Sequence, residues 1–299
     1  MIIRWLRMLG LVLFVTIFSV IIQLAHAQET KFDMAPGGLI FRPLVANQIE
    51  PRVGLEKTID SNLLTLNIGN SLDLLSWKTT WQKNNATCQS ELRIGGDLFT
   101  WTQIRSEDNF RFPVEDVDYL FGVNVTWRDE YRETPLSAPV VNSFRIRLAH
   151  ISAHTVDGSY DNYTKQFIYQ QPFTYSQEFI DGIYSYENRC IGVNYRALLG
   201  AKLIVHTIPG TLTAFAPHYG LELSTQPVGW LTPYFAYDGK MQKITAWQGE
   251  NSLQLGIKME KWDGGGISLY LAYYQGKNVH GELYYIDQKT ISVGTNLSF

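Results

Sequence analysis

The chain closes on Ile291-Ser292-Val293-Gly294-Thr295-Asn296-Leu297-Ser298-Phe299, and this stretch decides the fold. Its odd positions carry Ile291, Val293, Thr295, Leu297 and Phe299; its even positions carry Ser292, Gly294, Asn296 and Ser298. Side chains of an extended strand point alternately to opposite faces, so this is a strand with one apolar and one polar face. The pattern recurs upstream. Ile267, Leu269, Leu271 and Tyr273 alternate with Ser268, Tyr270, Ala272 and Tyr274. Leu253, Leu255, Ile257 and Met259 alternate with Gln254, Gly256, Lys258 and Glu260. Val117, Tyr119, Phe121, Val123, Val125 and Trp127 alternate with Asp118, Leu120, Gly122, Asn124, Thr126 and Arg128. Helical periodicity is almost absent from about Arg52 onward.

A soluble sandwich also alternates, so the character of the faces has to decide. Here the apolar face is large and aromatic, and the other face is mostly small or charged. That distribution suits a barrel with lipid outside and water or packed polar groups inside. A sandwich would turn its large residues into a shared core. An open sheet edge is not tolerated in hydrocarbon, so the strands must close. The expectation is an all-β, transmembrane, antiparallel β-barrel. Composition agrees: of 299 residues 18% are charged, while 24 are Gly and 17 Tyr. A mean hydropathy of -0.11 excludes a bundle of membrane helices. A net charge of -3 without a long basic run argues against a nucleic-acid partner.

Arg4 and Arg7 precede an apolar run from Met8 to Ile22, and Ala25-His26-Ala27 supplies small residues for cleavage before Gln28. Residues 1–27 therefore read as a secretory signal peptide, too short in its apolar run for a membrane anchor. Residues 28–47 lack any period. They read either as a loose periplasmic segment or as a plug in the lumen, and the sequence leaves both open. The barrel then occupies 48–299, in strands near 48–57, 62–77, 90–105, 115–128, 142–155, 173–187, 189–198, 213–223, 229–239, 243–258, 266–275 and 289–299. That makes twelve, an even number as bacterial barrels require. Pro233 inside one of them leaves ten or fourteen as alternatives. With Phe299 at the periplasmic side, the loops after about 155, 198, 239 and 275 are extracellular. Trp77, Trp127, Tyr184, Tyr186, Trp230, Trp262 and Phe299 then form one periplasmic aromatic girdle.

The ending Leu297-Ser298-Phe299 resembles the terminal aromatic signal of bacterial outer-membrane proteins. That resemblance implies an outer-membrane location and recognition of Phe299 by the barrel-assembly machinery. A narrower resemblance rests on Phe41-Arg42-Pro43-Leu44-Val45-Ala46 with Glu50-Pro51-Arg52, and on Asn67-Ile68-Gly69-Asn70-Ser71, His150-Ile151-Ser152-Ala153-His154 and Tyr274-Gln275-Gly276. Together these resemble the outer-membrane barrel family known as domain of unknown function 1207, which implies a place and a fold but no activity.

No phosphate loop, H-E-x-x-H, C-x-x-C or G-x-S-x-G motif is present. His26, His206, His218 and His280 read as isolated polar residues. The informative segment is Ser143 to His154. Phe144, Ile146 and Leu148 point towards lipid, and Arg145 and Arg147 point into the lumen. Continued parity puts His150, Ser152 and His154 on the lipid side, near the extracellular end. Polar groups there cost free energy, which suggests a use. His150 and Ser152 share a face, so the imidazole could take the Ser proton during attack on an ester. This pair resembles the His-x-Ser site of the outer-membrane phospholipase and lipid A deacylase families. The resemblance implies His150 as base, Ser152 as nucleophile, outer-membrane lipid as substrate and calcium as a conceivable cofactor. It departs from the phospholipase pattern in having Ala153 and His154 where Asn and Gly follow the Ser. Glu178 is the candidate for the group that orients His150, if a hairpin sets the two side by side. The alternative is a bulge after Leu148 that turns His150, Ser152 and His154 into the lumen, with Ala149, Ile151 and Ala153 outside.

Arg93, Asp97, Asp118, Arg145, Arg147, Arg196, Lys258 and Glu260 face inward by parity. They read as a self-neutralising network filling a structural barrel, or as the lining of a small-solute pore. Cys88 and Cys190 are assigned to well-separated strands and are expected to remain unpaired.

Overall fold

The structure, a computed structural model, describes residues 29–83, 86–134, 137–210, 214–243 and 247–298. The expected signal peptide and Phe299 lie outside these residues. The strands are β1 (Glu29–Met34), β2 (Val53–Thr58), β3 (Leu63–Lys83), β4 (Ala86–Arg105), β5 (Val114–Arg132), β6 (Val140–Thr155), the short β7 (Tyr160–Asp161) and β8 (Gln166–Phe167), β9 (Tyr175–Cys190), β10 (Val193–Ile208), β11 (Phe215–Ser224), β12 (Leu231–Lys243), β13 (Trp247–Met259), β14 (Gly266–Lys277) and β15 (Asp287–Ser298). All long strands pair antiparallel with their neighbours in sequence; β7 and β8 form a separate hairpin within the connection between β6 and β9. Pairing of β15 with β2, and of β2 with β3, closes a ring of twelve strands.

The wall is apolar outside and polar inside. Leu72, Leu98, Val123, Leu148, Leu199 and Leu255 are each more than half exposed on the outward face. Asp97, Asp118, Arg145, Arg147 and Arg196 are buried inside, and so are Arg93 and Lys258. A soluble domain would reverse this arrangement. Tyrosines also turn inward. Tyr270 lies across from Gly294, where an added Cβ would meet the ring at 2.4 Å, so glycine is needed for that close approach.

Four expectations need correction. Glu260 does not line the lumen: β13 ends at Met259, and Glu260 is exposed in the following turn at φ 91°. Parity holds only while the strand lasts. Trp262 is not on an outer girdle but packs inside, on Tyr234 at a ring separation of 5.0 Å. β3 runs six residues past the expected end at residue 77, and β10 runs to Ile208 instead of 198. Alternation fades in β3 beyond Leu75 because β1 and β4 pair with it there, so ladder hydrogen bonds hold the strand without a strong pattern. Pro233 does not break β12: it stays opposite Ile257 of β13, and on the β11 side, where regular pairing ends at Ser224 and Tyr234, it only accepts, from the Thr225 N–H. Both cysteines are free, Cys88 buried on β4 and Cys190 exposed at the end of β9.

The segment between β1 and β2 enters the barrel. β1 and β2 lie on the same edge of β3, at Leu75–Thr80 and Leu64–Asn67 respectively, as two pieces of one broken wall strand. Between them Ile40, Phe41, Leu44, Ala46, Asn47 and Glu50 are buried. Glu50 accepts hydrogen bonds from Arg145 at 2.9 and 2.6 Å and from Arg147 at 3.1 and 3.4 Å. The Phe41 ring lies between the guanidiniums of Arg145 and Arg196, at 4.8 and 4.6 Å. Arg93 donates to the Gly38 carbonyl at 2.8 Å, and Glu222 accepts from the Val45 N–H at 2.9 Å. The inward charges thus neutralise one another and also fasten this segment. Arg147 additionally reaches Asp97, 3.0 Å away.

Candidate functional site

β6 and β9 form a hairpin joined by residues 156–174, with β10 on the far side of β9. Its register sets His150 opposite Glu178 and Ser152 opposite Ser176. No register shift interrupts β6 against either neighbour, so the parity begun at Phe144 continues to the strand end. Ala149, Ile151 and Ala153 are buried inside, at 3–4% exposure. His150, Ser152 and His154 therefore face outward, and the bulge alternative is excluded. The sequence suggested such a swap because this half of the lumen is itself apolar. Ala149, Ile151 and Ala153 pack there with Phe99, Trp101, Leu120 and Phe179.

Three outward strands contribute to one polar cluster. Glu178 accepts from Nδ1 of His150 at 2.7 Å, from Nδ1 of His206 at 2.6 Å and from Ser176 Oγ at 3.0 Å. His206 reaches this face through a bulge. Ile204 pairs with Phe179 and His206 with Glu178, leaving Val205 as the extra residue. In a regular strand, with Val205 paired to Glu178, His206 would share the inward parity of Ile204. Sequence reading missed it for this reason, and no signal in the strand marks the bulge.

Ser152 Oγ lies 3.0 Å from His154 Nε2, rather than in a hydrogen bond to His150. The His154 ring meets the edge of Tyr119 across the β5 pairing, at 5.8 Å. Glu178 therefore holds the imidazole expected to serve as base, while the serine leans on a different one. Side-chain exposures of 43% for His150, 36% for Glu178 and 60% for His206 leave the cluster open to a molecule approaching from the lipid side. Such an arrangement can transfer protons and present a hydroxyl to an electrophile. It does not suit calcium at Ser152, because calcium takes several oxygen ligands. Among the described residues Glu178 is the only carboxylate in the cluster, and it already accepts from both histidines.

The lumen residues lie elsewhere. Arg93, Asp97, Arg145, Arg147 and Arg196 engage the inserted segment or one another, Lys258 donates to the Trp262 carbonyl at 3.1 Å, and Asp118 meets His280 under the connection between β14 and β15. His218 is paired with Asp238 inside the wall.

No protein-family model and no curated protein matches the chain. The resemblances to family 1207 and to the His-x-Ser hydrolases therefore rest on their short motifs alone. Among solved structures the chain is similar to the outer-membrane phospholipase A of Escherichia coli, at 12% identity and a TM-score of 0.49, covering 83% of this chain and 91% of that one. It is similar at 11% identity and a TM-score of 0.35 to the transport unit of the autotransporter AIDA-I of Escherichia coli, covering 85% and 92%. The β domain of the Bordetella autotransporter BrkA gives the same identity and score, covering 83% and 97%. All three are barrels of the bacterial outer membrane, and likenesses this distant assign no activity.

Proposed function

We propose that the chain is an integral outer-membrane protein that hydrolyses acyl esters of lipid at the outer membrane surface, with Ser152 as nucleophile. The observation that carries this reading is the 3.0 Å contact between Ser152 Oγ and His154 Nε2 on the apolar outward face, beside the His150–Glu178 pair. Outward polar residues gain nothing from the lumen network, and they sit within five residues of the extracellular end of β6. Ester carbonyls of lipid lie near that depth. The apolar outer wall supports the membrane location.

In this mechanism Ser152 Oγ attacks the ester carbonyl carbon while its proton passes to His154 Nε2. The tetrahedral intermediate collapses with loss of the alcohol portion of the lipid, which takes the proton from the imidazolium. Water then enters by the same route, and the fatty acid leaves as Ser152 is regenerated. Glu178 fixes His150 and His206 through their Nδ1 atoms beside the acyl-enzyme.

The second reading is a purely structural barrel, favoured by the closed set of hydrogen bonds around Glu178. A pore has less support, since the cavities beside Asn47, Ile49 and Glu50 hold only about 60 and 40 Å3, room for a few waters, and the larger ones of about 230 and 570 Å3 lie beside residues 38–45 towards the other end of the barrel. The test is fatty-acid release from phospholipid or lipid A by protein in detergent, with and without calcium. We expect release by wild type and a loss of about a thousandfold or more in Ser152→Ala. His154→Ala is expected to fall as far, and His150→Ala and Glu178→Gln to fall less. No release by wild type favours the structural barrel; equal activity of Ser152→Ala and an active wild type refutes the site.

A further inference from the structure

Three side chains meet inside the barrel beneath its extracellular mouth, away from the outward cluster. Asp116 and Asp118 start β5, and His280 comes from residues 278–286 between β14 and β15. All three are buried, with side-chain exposures of 1%, 0% and 2%. One ligand-type atom from each lies within 4.8 Å of the other two. His280 Nδ1 stands 2.5 Å from Asp118 Oδ2 and 3.4 Å from Asp116 Oδ1.

The second observation is that Asp116 is poorly satisfied. Both carboxylate oxygens are sealed from solvent and neither accepts a hydrogen bond, so the long 3.4 Å contact with His280 is all that answers its charge. A buried carboxylate without hydrogen bonds is costly, and proteins seldom keep one without a use. One imidazolium between two carboxylates still leaves a net negative charge in the cluster. A divalent cation bound to two carboxylates and a neutral imidazole leaves none.

We infer that Asp116, Asp118 and His280 form a binding site for a divalent transition-metal ion, with Zn2+ the best match. Mixed nitrogen and oxygen donors suit Zn2+ or Mn2+, whereas calcium and magnesium prefer oxygen alone. Around tetrahedral Zn2+ the donor atoms stand roughly 3.4 Å apart, given bonds of about 2.0–2.2 Å. Asp116 and His280 already have that separation, and the shorter Asp118–His280 contact opens when the ion replaces the shared proton.

Supporting groups are in place. Gly281 N–H donates to Asp118 Oδ1 at 2.9 Å, which leaves Oδ2 for the ion. Asn278 Oδ1 accepts from the His280 N–H at 2.9 Å, and Trp101 Nε1 donates to the Val279 carbonyl at 3.1 Å. The ion would staple the β14–β15 connection to β5, which lies across the lumen from it in the strand order. The site is independent of any activity at Ser152.

The experiment measures metal content by mass spectrometry in refolded protein after exposure to Zn2+, Mn2+ or Ca2+ and removal of loose ions. It uses a His150→Ala/His154→Ala/His206→Ala background, so that the outward histidines contribute nothing. We expect about one Zn2+ per chain, little Ca2+, and a rise of several degrees in the temperature at which the folded gel band is lost. Asp116→Asn is near-isosteric and removes a buried charge, so it should fold and bind no Zn2+; His280→Ala should bind none either. Less than a tenth of a Zn2+ per chain in the background protein overturns the site. Undiminished Zn2+ in Asp116→Asn overturns it equally.

Discussion

Glu50 shows how single side chains hold this molecule together. Its carboxylate is 1% exposed and is answered by two guanidiniums that are themselves 3% and 2% exposed. Truncation leaves Arg145 and Arg147 buried with too little countercharge, a change that typically costs about 3–5 kcal/mol. Glu50→Ala is therefore expected to lower markedly the temperature at which the folded gel band converts to the boiled one. Glu50→Ala/Arg147→Met should recover part of the loss, and equal melting of Glu50→Ala and wild type would show that the contact is worth little. Arg145 and Arg147 were legible as inward residues because parity is a local property of one strand. Their partner Glu50 was not, since it comes from a stretch without a period. The outward site divides similarly. His150 opposite Glu178 needs only parity and one hairpin, whereas His206 depends on the extra residue Val205, and the Ser152–His154 contact on a choice of rotamer.

The inserted segment belongs to the scale of elements. On β3 the residues paired with Met34 and Gly54 are Leu75 and Asn67, a gap of roughly 25 Å along an extended strand. About eight residues would cross it, so the connection is longer than the wall needs, and the surplus fills the lumen. Replacing residues 36–51 by a Gly/Ser linker of about that length keeps the wall and removes the filling. Wild-type protein is expected to show no steady conductance in planar bilayers, and the replaced chain to conduct. Equal conductance of the two would mean that the segment does not close the lumen. Most strands were readable because lipid outside and polar packing inside impose opposite chemistry on successive residues. Pattern failed where that contrast is missing: along the outer part of β3, after the bulge in β10, and in the turn that carries Glu260.

At the scale of the whole molecule, twelve strands turn their large apolar residues outward and their charges inward. The count of twelve strands followed from alternation. Whether residues 28–47 fill the interior stayed open in the sequence, and an apolar half of the lumen imitates an outer face there. That ambiguity converges on residues 144–154, where the barrel and its candidate site depend on one uninterrupted parity. Single cysteines at each of these positions, in a Cys88→Ser/Cys190→Ser background, can carry a fluorescent label in vesicles containing lipid-borne quencher. Strong quenching is predicted at 144, 146, 148, 150, 152 and 154, with weak quenching at every odd position between them. Quenching that shifts to 149, 151 and 153 beyond Leu148 would place His150 and Ser152 in the lumen and contradict the account.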